Sequence, residues 1–212
     1  QQRLWFIDGF EGSSLQYHMG GYFRFEGSLD YEGLRAALGS LLDRHEVLRT
    51  CFGEGPDGIP YQVIQDGYDL PFIEEDLRGL EEADQSARLS VIFEDERHRP
   101  FDLSRDIMLR LRVVRLSDEA HVVLCTLHHI AGDGWSLEIL ERELREFYDG
   151  YVEGRPAEVA PLPVQYADYA AWQRGWLEGS VLEDHLSYWR GHLSGYCGVH
   201  SVPLDHTRPA EQ

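Results

Sequence analysis

The 212-residue sequence contains no lysine and no asparagine. Without Lys there is no Schiff-base enzyme, no pyridoxal-phosphate lysine and no phosphate-loop lysine. Without Asn there is no N-glycosylation acceptor and no Cys-His-Asn triad. All 19 basic residues are therefore Arg, against 38 acidic residues, for a net charge of −19. Arg in place of Lys throughout reflects a GC-rich coding sequence, a property of the genome rather than of function. The negative balance excludes nucleic acid as a partner, because phosphate binding needs a basic face. It equally disfavours an anionic membrane surface. Cysteine is scarce: Cys51, Cys125 and Cys197 are widely spaced and form no CxxC pair. They read as free thiols in a reducing compartment, the cytoplasm. No apolar run approaches about 20 residues, so no segment reads as a membrane-spanning helix. The chain opens Gln1-Gln2-Arg3, with no initiator Met and no signal peptide, as if cut from something longer. At 42% hydrophobic and 12% aromatic it has material for a sizeable core.

Residues 1–20 open apolar and aromatic, and Glu11-Gly12-Ser13-Ser14 reads as a turn. Gly21–Gly27 alternates and predicts a strand. Asp30 is placed to cap a helix whose apolar face is Leu34, Ala37, Leu38, Leu41 and Leu42. Val47–Phe52 reads as extended, Gly53–Pro60 as a hairpin connection and Tyr61–Gln65 as the returning strand. Residues 79–98 predict an amphipathic helix, broken by Pro100-Phe101-Asp102-Leu103. Leu109, Leu111 and Val113 alternate with Arg110 and Arg112, which predicts a half-buried strand. Val122–Leu127 is almost wholly apolar and predicts a central strand covered on both faces. A helix from about Ser136 to Tyr148 follows, then a Pro- and acid-rich linker over Gly150–Pro163, then aromatic-rich helices at about 164–177 and 180–193. The class is α/β with a mixed β-sheet flanked by helices.

The chemistry concentrates in Leu127-His128-His129-Ile130-Ala131-Gly132-Asp133-Gly134-Trp135-Ser136. This stretch joins a buried strand to a helix start, where sites form on α/β sheets. Asp133 either folds back beneath His129, turns away to a cation, or simply caps the helix. His, His and Asp are all metal ligands, but adjacent strand residues point to opposite faces, so His128 and His129 do not chelate one ion easily. No metal is expected.

These residues resemble the central motif of condensation domains of nonribosomal peptide synthetases, His-His-x-x-x-Asp-Gly followed by Trp-Ser and a helix. Three further stretches match in order. Gln2-Arg3-Leu4-Trp5 resembles the opening motif. Arg44-His45-Glu46-Val47-Leu48-Arg49-Thr50-Cys51-Phe52 resembles the second, and Tyr166-Ala167-Asp168-Tyr169-Ala170-Ala171-Trp172-Gln173-Arg174 the fourth. Pro100-Phe101-Asp102-Leu103 is also familiar there. The HxxxD element alone is shared by many acyltransferases; four collinear matches are far more specific.

The resemblance implies a chloramphenicol-acetyltransferase-like fold of two lobes. Residues 1–160 would be the N-terminal lobe, and 161–212 the crossover helices with the start of a second lobe near Pro203-Leu204-Asp205. It implies amide formation between a donor acyl or peptidyl thioester and an acceptor aminoacyl thioester. Both would be delivered on the 4'-phosphopantetheine arms of upstream and downstream carrier proteins, beside an adenylation domain, with no cofactor bound directly. His129 would be the central group, as base or as a hydrogen-bonding anchor for the amine. The Gly134 N–H would orient the thioester or its oxyanion. His128 is expected to be an interior residue. Asp133 is expected to be structural, paired with Arg49 in preference to Arg44, a buried pair whose rupture costs about 3–5 kcal/mol. Trp135 and Ser136 are weaker candidates for substrate contact; Trp5, Trp172 and Trp189 are expected to pack. Heterocyclisation domains carry Asp-x-x-x-x-Asp here, and epimerisation domains follow Asp-Gly with a Val-Ser-Trp-like run. Degenerate recruitment domains lose the second His, and this sequence keeps it. Two alternatives stay open, a stand-alone coenzyme A-dependent acyltransferase and a non-catalytic carrier-docking module. The fragment by itself is expected to be inactive.

Overall fold

The computed structural model describes residues 1–11 and 15–196. The turn at Gly12-Ser13-Ser14, Cys197 and the Pro203-Leu204-Asp205 segment lie outside the described residues. The apolar opening is a helix, α1 (Gln2–Glu11), followed by strand β1 (His18–Glu26). Helix α2 (Tyr31–Arg44) is capped as its sequence predicts: the Asp30 carboxylate accepts the Gly33 amide at 2.9 Å. Its predicted apolar face is buried.

The next segment departs from expectation. Glu46–Arg49 closes a 3-10 turn before the chain extends into β2 (Thr50–Glu54), which pairs antiparallel with β3 (Pro60–Ile64). A short strand, β4 (Phe72–Asp76), was hidden by its three consecutive acids. Then come α3 (Glu82–His98), β5 (Leu109–Ser117), β6 (Ala120–His128) and α4 (Gly134–Glu153). Helix α4 starts two residues earlier and runs further than its periodicity suggests, ending on Gly154 at φ 66°. Helices α5 (Tyr166–Trp176) and α6 (Gly179–His192) follow.

The main sheet has the order β1-β6-β5-β4, with β4 parallel to β5 and the other pairs antiparallel. Alternation assigns the two faces of the sheet. Val113, Val123 and Leu127 join Leu38, Leu41, Leu42 and Leu140 of α2 and α4 in the larger core. Val114, Val122 and Leu124 join Ile92 of α3 in a smaller one. Strand β6 is thus central and covered on both faces.

Strand β5 is not half-buried, because both its faces are covered. Arg110 is only 7% exposed. It donates to Glu96 at 2.9 Å and to the carbonyls of Pro100 and Arg99, and lies 3.8 Å over the Phe101 ring. Arg112 donates to Glu75 of β4 and, at 2.7 Å, to Asp95 of α3. Acids from two neighbours let an Arg-bearing face turn inward, the stems packing and the heads paired.

Two compact units divide after Ala167. The first carries the sheets and α1–α4. Its final stretch was expected to be a linker, but Gly150–Glu153 belongs to α4 and the remainder is held down. Arg44 donates to the Ala160 carbonyl at 2.6 Å; Gln165 donates to the Arg44 carbonyl at 2.9 Å and accepts from the Glu46 amide. In the second unit Trp172 stacks on Trp176 with centroids 5.4 Å apart, and Trp189 sits edge-on to Tyr188 at 5.3 Å.

Candidate functional site

Strand β6 delivers the two histidines to opposite environments. The His128 amide donates to the Met108 carbonyl, as the strand ladder requires, and its ring is buried at 1% exposure. There it meets His18 of β1 and Phe101, with ring centroids 5.8 and 5.6 Å away. Its Nδ1 accepts the Ile130 amide at 3.1 Å, so Nδ1 carries no proton. Burial, reinforced by the neighbouring His18, pushes the His128 pKa down to about 4. His128 is a neutral interior residue that shapes the turn after it.

His129 is exposed. Its backbone amide donates to the Tyr17 carbonyl at 2.8 Å, and its Nδ1 lies 2.6 Å from the Gly132 carbonyl oxygen. A carbonyl can only accept, so Nδ1 carries a proton, and in the uncharged form of the ring Nε2 is left with the lone pair. The loop therefore fixes the tautomer. Gly132 is required by close approach: a Cβ there would sit 2.9 Å from Leu127 Cδ2 and 3.0 Å from Ser136 Cβ.

Asp133 takes the capping alternative. Its carboxylate accepts the Ser136 amide at 2.9 Å and the Ser136 hydroxyl at 2.8 Å, while Ser136 Oγ accepts the Asp133 amide. This reciprocal box opens α4. The Ser136 bonds hold the Asp133 carboxyl below the usual carboxylate range, and His129 nearby adds to the effect. The expected Asp133–Arg49 pair is not formed. Arg49 donates to the carbonyls of Leu42 and Gln65, with Glu46 and Asp66 at 3.9 Å. Arg44 does not replace it, since it pairs with Glu143 of α4 at 2.9 Å. Asp133 is exposed at a helix start, where the Ser136 amide and hydroxyl already satisfy it, so it has no need of a buried cation.

Ser136 is thus committed to the cap. Trp135 is 77% exposed. The amides of Gly134 and Trp135 lie in the first turn of α4, without intrahelical acceptors. Gly134 is exposed, and a Cβ there would meet nothing within 4 Å, so the space beside this residue is open.

Several residues that shape the site carried no warning in the sequence. Glu143 accepts from both Arg44 and His45, the latter at 2.7 Å, and so ties α4 to the end of α2. Burial alone would raise its pKa, but these two partners hold it below the usual value. Gln1 donates to the Ile130 carbonyl at 3.0 Å inside the His loop. These are long-range contacts, and no local spacing announces them. Among the described residues no cluster of His, Cys, Asp and Glu is suited to a metal ion. Among them, too, no helix is long and apolar enough to cross a membrane.

Comparison with known proteins adds to this geometry. A family model described as the condensation domain matches residues 1–212. Malpibaldin synthetase of Mortierella alpina is 41% identical over 212 residues, covering 100% of this chain and 4% of that protein. Phosphinothricin tripeptide synthetase PhsC of Streptomyces viridochromogenes is 39% identical over 210 residues, covering 99% and 19%. Among solved structures, the X-domain from teicoplanin biosynthesis superposes with a TM-score of 0.80 at 34% identity, covering 99% of this chain and 45% of that one. The starter condensation domain of rhizomide synthetase RzmA gives 0.80 at 18% identity, covering 92% and 47%, a likeness of fold alone. The chain thus spans a small part of the curated relatives and just under half of these solved chains.

Proposed function

The chain belongs to the condensation-domain family, and on that premise we propose that it is the His-motif lobe of a domain that forms amide bonds in nonribosomal peptide synthesis. The donor is an acyl or peptidyl thioester and the acceptor an aminoacyl thioester. Each is borne on the phosphopantetheine arm of a carrier protein, supplied beside an adenylation domain, with no cofactor held by this chain. Residues 1–160 serve as the N-terminal lobe and 161–212 as the crossover into a second lobe.

The observation that carries this reading is the tautomer-locked imidazole. With Nδ1–H donating to Gly132, Nε2 of His129 is the acceptor for the N–H of the incoming α-amine. The amine nitrogen attacks the thioester carbonyl and the C–N bond forms. The excess negative charge on oxygen faces first-turn amides such as that of Gly134. Collapse breaks the C–S bond, and the thiol leaves with the proton taken from the amine. Asp133 acts indirectly, holding the helix start that presents Gly134. Trp135 is free to border the substrates; Ser136 supports the cap.

The test is reconstitution of the complete domain with two loaded carriers. His129→Ala is expected to lower dipeptide formation by about 10²–10⁴-fold. Undiminished formation by that variant sinks the assignment. Turnover with acyl-coenzyme A and a free amine, without carriers, would point instead to a stand-alone acyltransferase. The 212-residue chain alone is expected to give no product.

A further inference from the structure

His129 owes its tautomer to the Gly132 carbonyl, so whatever places that carbonyl governs the imidazole. The intervening peptide is fixed at both ends. The Ile130 amide donates to His128 Nδ1 at 3.1 Å, and the Ala131 amide donates to the His128 carbonyl at 2.9 Å. The Ile130 carbonyl accepts Gln1 Nε2 at 3.0 Å. Gln1 in turn accepts, through Oε1, the side-chain amide of Gln62 at 2.6 Å. Three segments remote in sequence are thus linked in series: strand β3 to the residue before α1, and that residue to the loop after β6.

The bonds have a fixed direction. A backbone carbonyl only accepts, so Gln1 must turn its NH₂ to Ile130 and its oxygen to Gln62. Gln62 must then donate. Gln1 is itself anchored, because its backbone carbonyl accepts the Trp5 amide at 2.9 Å.

We propose that Gln62 and Gln1 form a directional hydrogen-bond relay that positions His129 through the Ile130 carbonyl. Both are positioning residues, and the assignment of a reacting role to His129 rests on the condensation reading. Reversing the donor at position 62 reverses the Gln1 amide. Its oxygen then opposes the Ile130 carbonyl, and the loop loses the geometry that holds His129 Nδ1–H on Gly132.

The test contrasts two substitutions of similar reach at the half-buried position 62. Gln62→Arg keeps a donor, and Gln62→Glu, above the carboxylate range, offers only acceptors. The first readout is ¹⁵N NMR of the His129 ring in this chain, at a pH where the ring is neutral. Wild type and Gln62→Arg are expected to show the single Nδ1–H tautomer, and Gln62→Glu and Gln1→Ala a mixture. The second readout is dipeptide formation by the complete domain. Gln62→Glu is expected to lower kcat about tenfold with KM unchanged, and Gln62→Arg to stay within about twofold. A merely structural role would affect both position-62 variants alike, and equal behaviour overturns the relay. A complete wild-type domain that makes no dipeptide overturns the condensation reading instead. The NMR contrast still decides the relay.

Discussion

Nδ1 of His129 stands 2.6 Å from the carbonyl oxygen of Gly132, three residues ahead in the same loop. The two are held together by a turn so tight that a Cβ on Gly132 would crowd Leu127 Cδ2 at 2.9 Å and Ser136 Cβ at 3.0 Å. Gly132→Ala is therefore expected to destabilise the protein by about 1–3 kcal/mol, as overpacking does. It should also loosen the His129 tautomer. Urea titration measures the first effect and ring ¹⁵N shifts the second; a variant unchanged in both would contradict the close-packing argument.

The capping box gives Asp133 a modest energetic role. Asp133→Ala is expected to cost about 1 kcal/mol, and Asp133→Asn only a few tenths, because Asn caps nearly as well. A double-mutant cycle of Asp133→Ala with Arg49→Ala should show coupling below about 0.5 kcal/mol. Coupling of several kcal/mol would restore the ion pair that the structure lacks.

Acid should weaken the fold through His128. An unfolded His titrates near 6.5, whereas the buried ring does so at about 4. Between these values the unfolded chain binds the proton and the folded one does not. Stability is thus full above pH 6.5 and falls as pH drops towards 4, by about 3 kcal/mol from this residue. His18 and His121 are also shifted down by burial and add in the same direction. Urea midpoints from about pH 7 to pH 4.5 should show the decline, and His128→Phe should flatten it.

Glu143 holds two partners at once, the Arg44 guanidinium and the His45 ring. Glu143→Ala leaves Arg44 and His45 in a partly buried setting without their shared carboxylate. The expected loss is about 3–5 kcal/mol. Equilibrium denaturation measures it, and a loss below about 1 kcal/mol would show that the pair is solvated.

Much of this architecture was legible locally. The Asp30 cap, the leucine face of α2, the apolar β6 and the opposite facing of His128 and His129 all follow from adjacent residues. What failed was the tertiary part. The alternation of Arg110 and Arg112 with apolar residues argued for a solvated face, because nothing nearby in sequence announces that Glu96, Asp95 and Glu75 will cover it. Strand β4 carries Glu74-Glu75-Asp76 and shows no strand pattern of its own until β5 supplies Arg112. The family resemblance implies a distant arginine as partner of Asp133, whereas the amide and hydroxyl of Ser136, three residues on, fill that place. Helix α1 lies in an apolar opening that shows little amphipathic pattern.

The segment between α4 and α5 has a mechanical consequence. Ala160 and Gln165 are bonded to Arg44 and Glu46 at the end of α2, and Arg44 is bonded to Glu143 in the middle of α4. Tension applied along the chain from residue 166 onward reaches these bonds first. It is then shared between α2 and the body of α4, before it reaches the Asp133 cap. Such a strain relief would let the downstream chain be pulled while the His129 loop stays still.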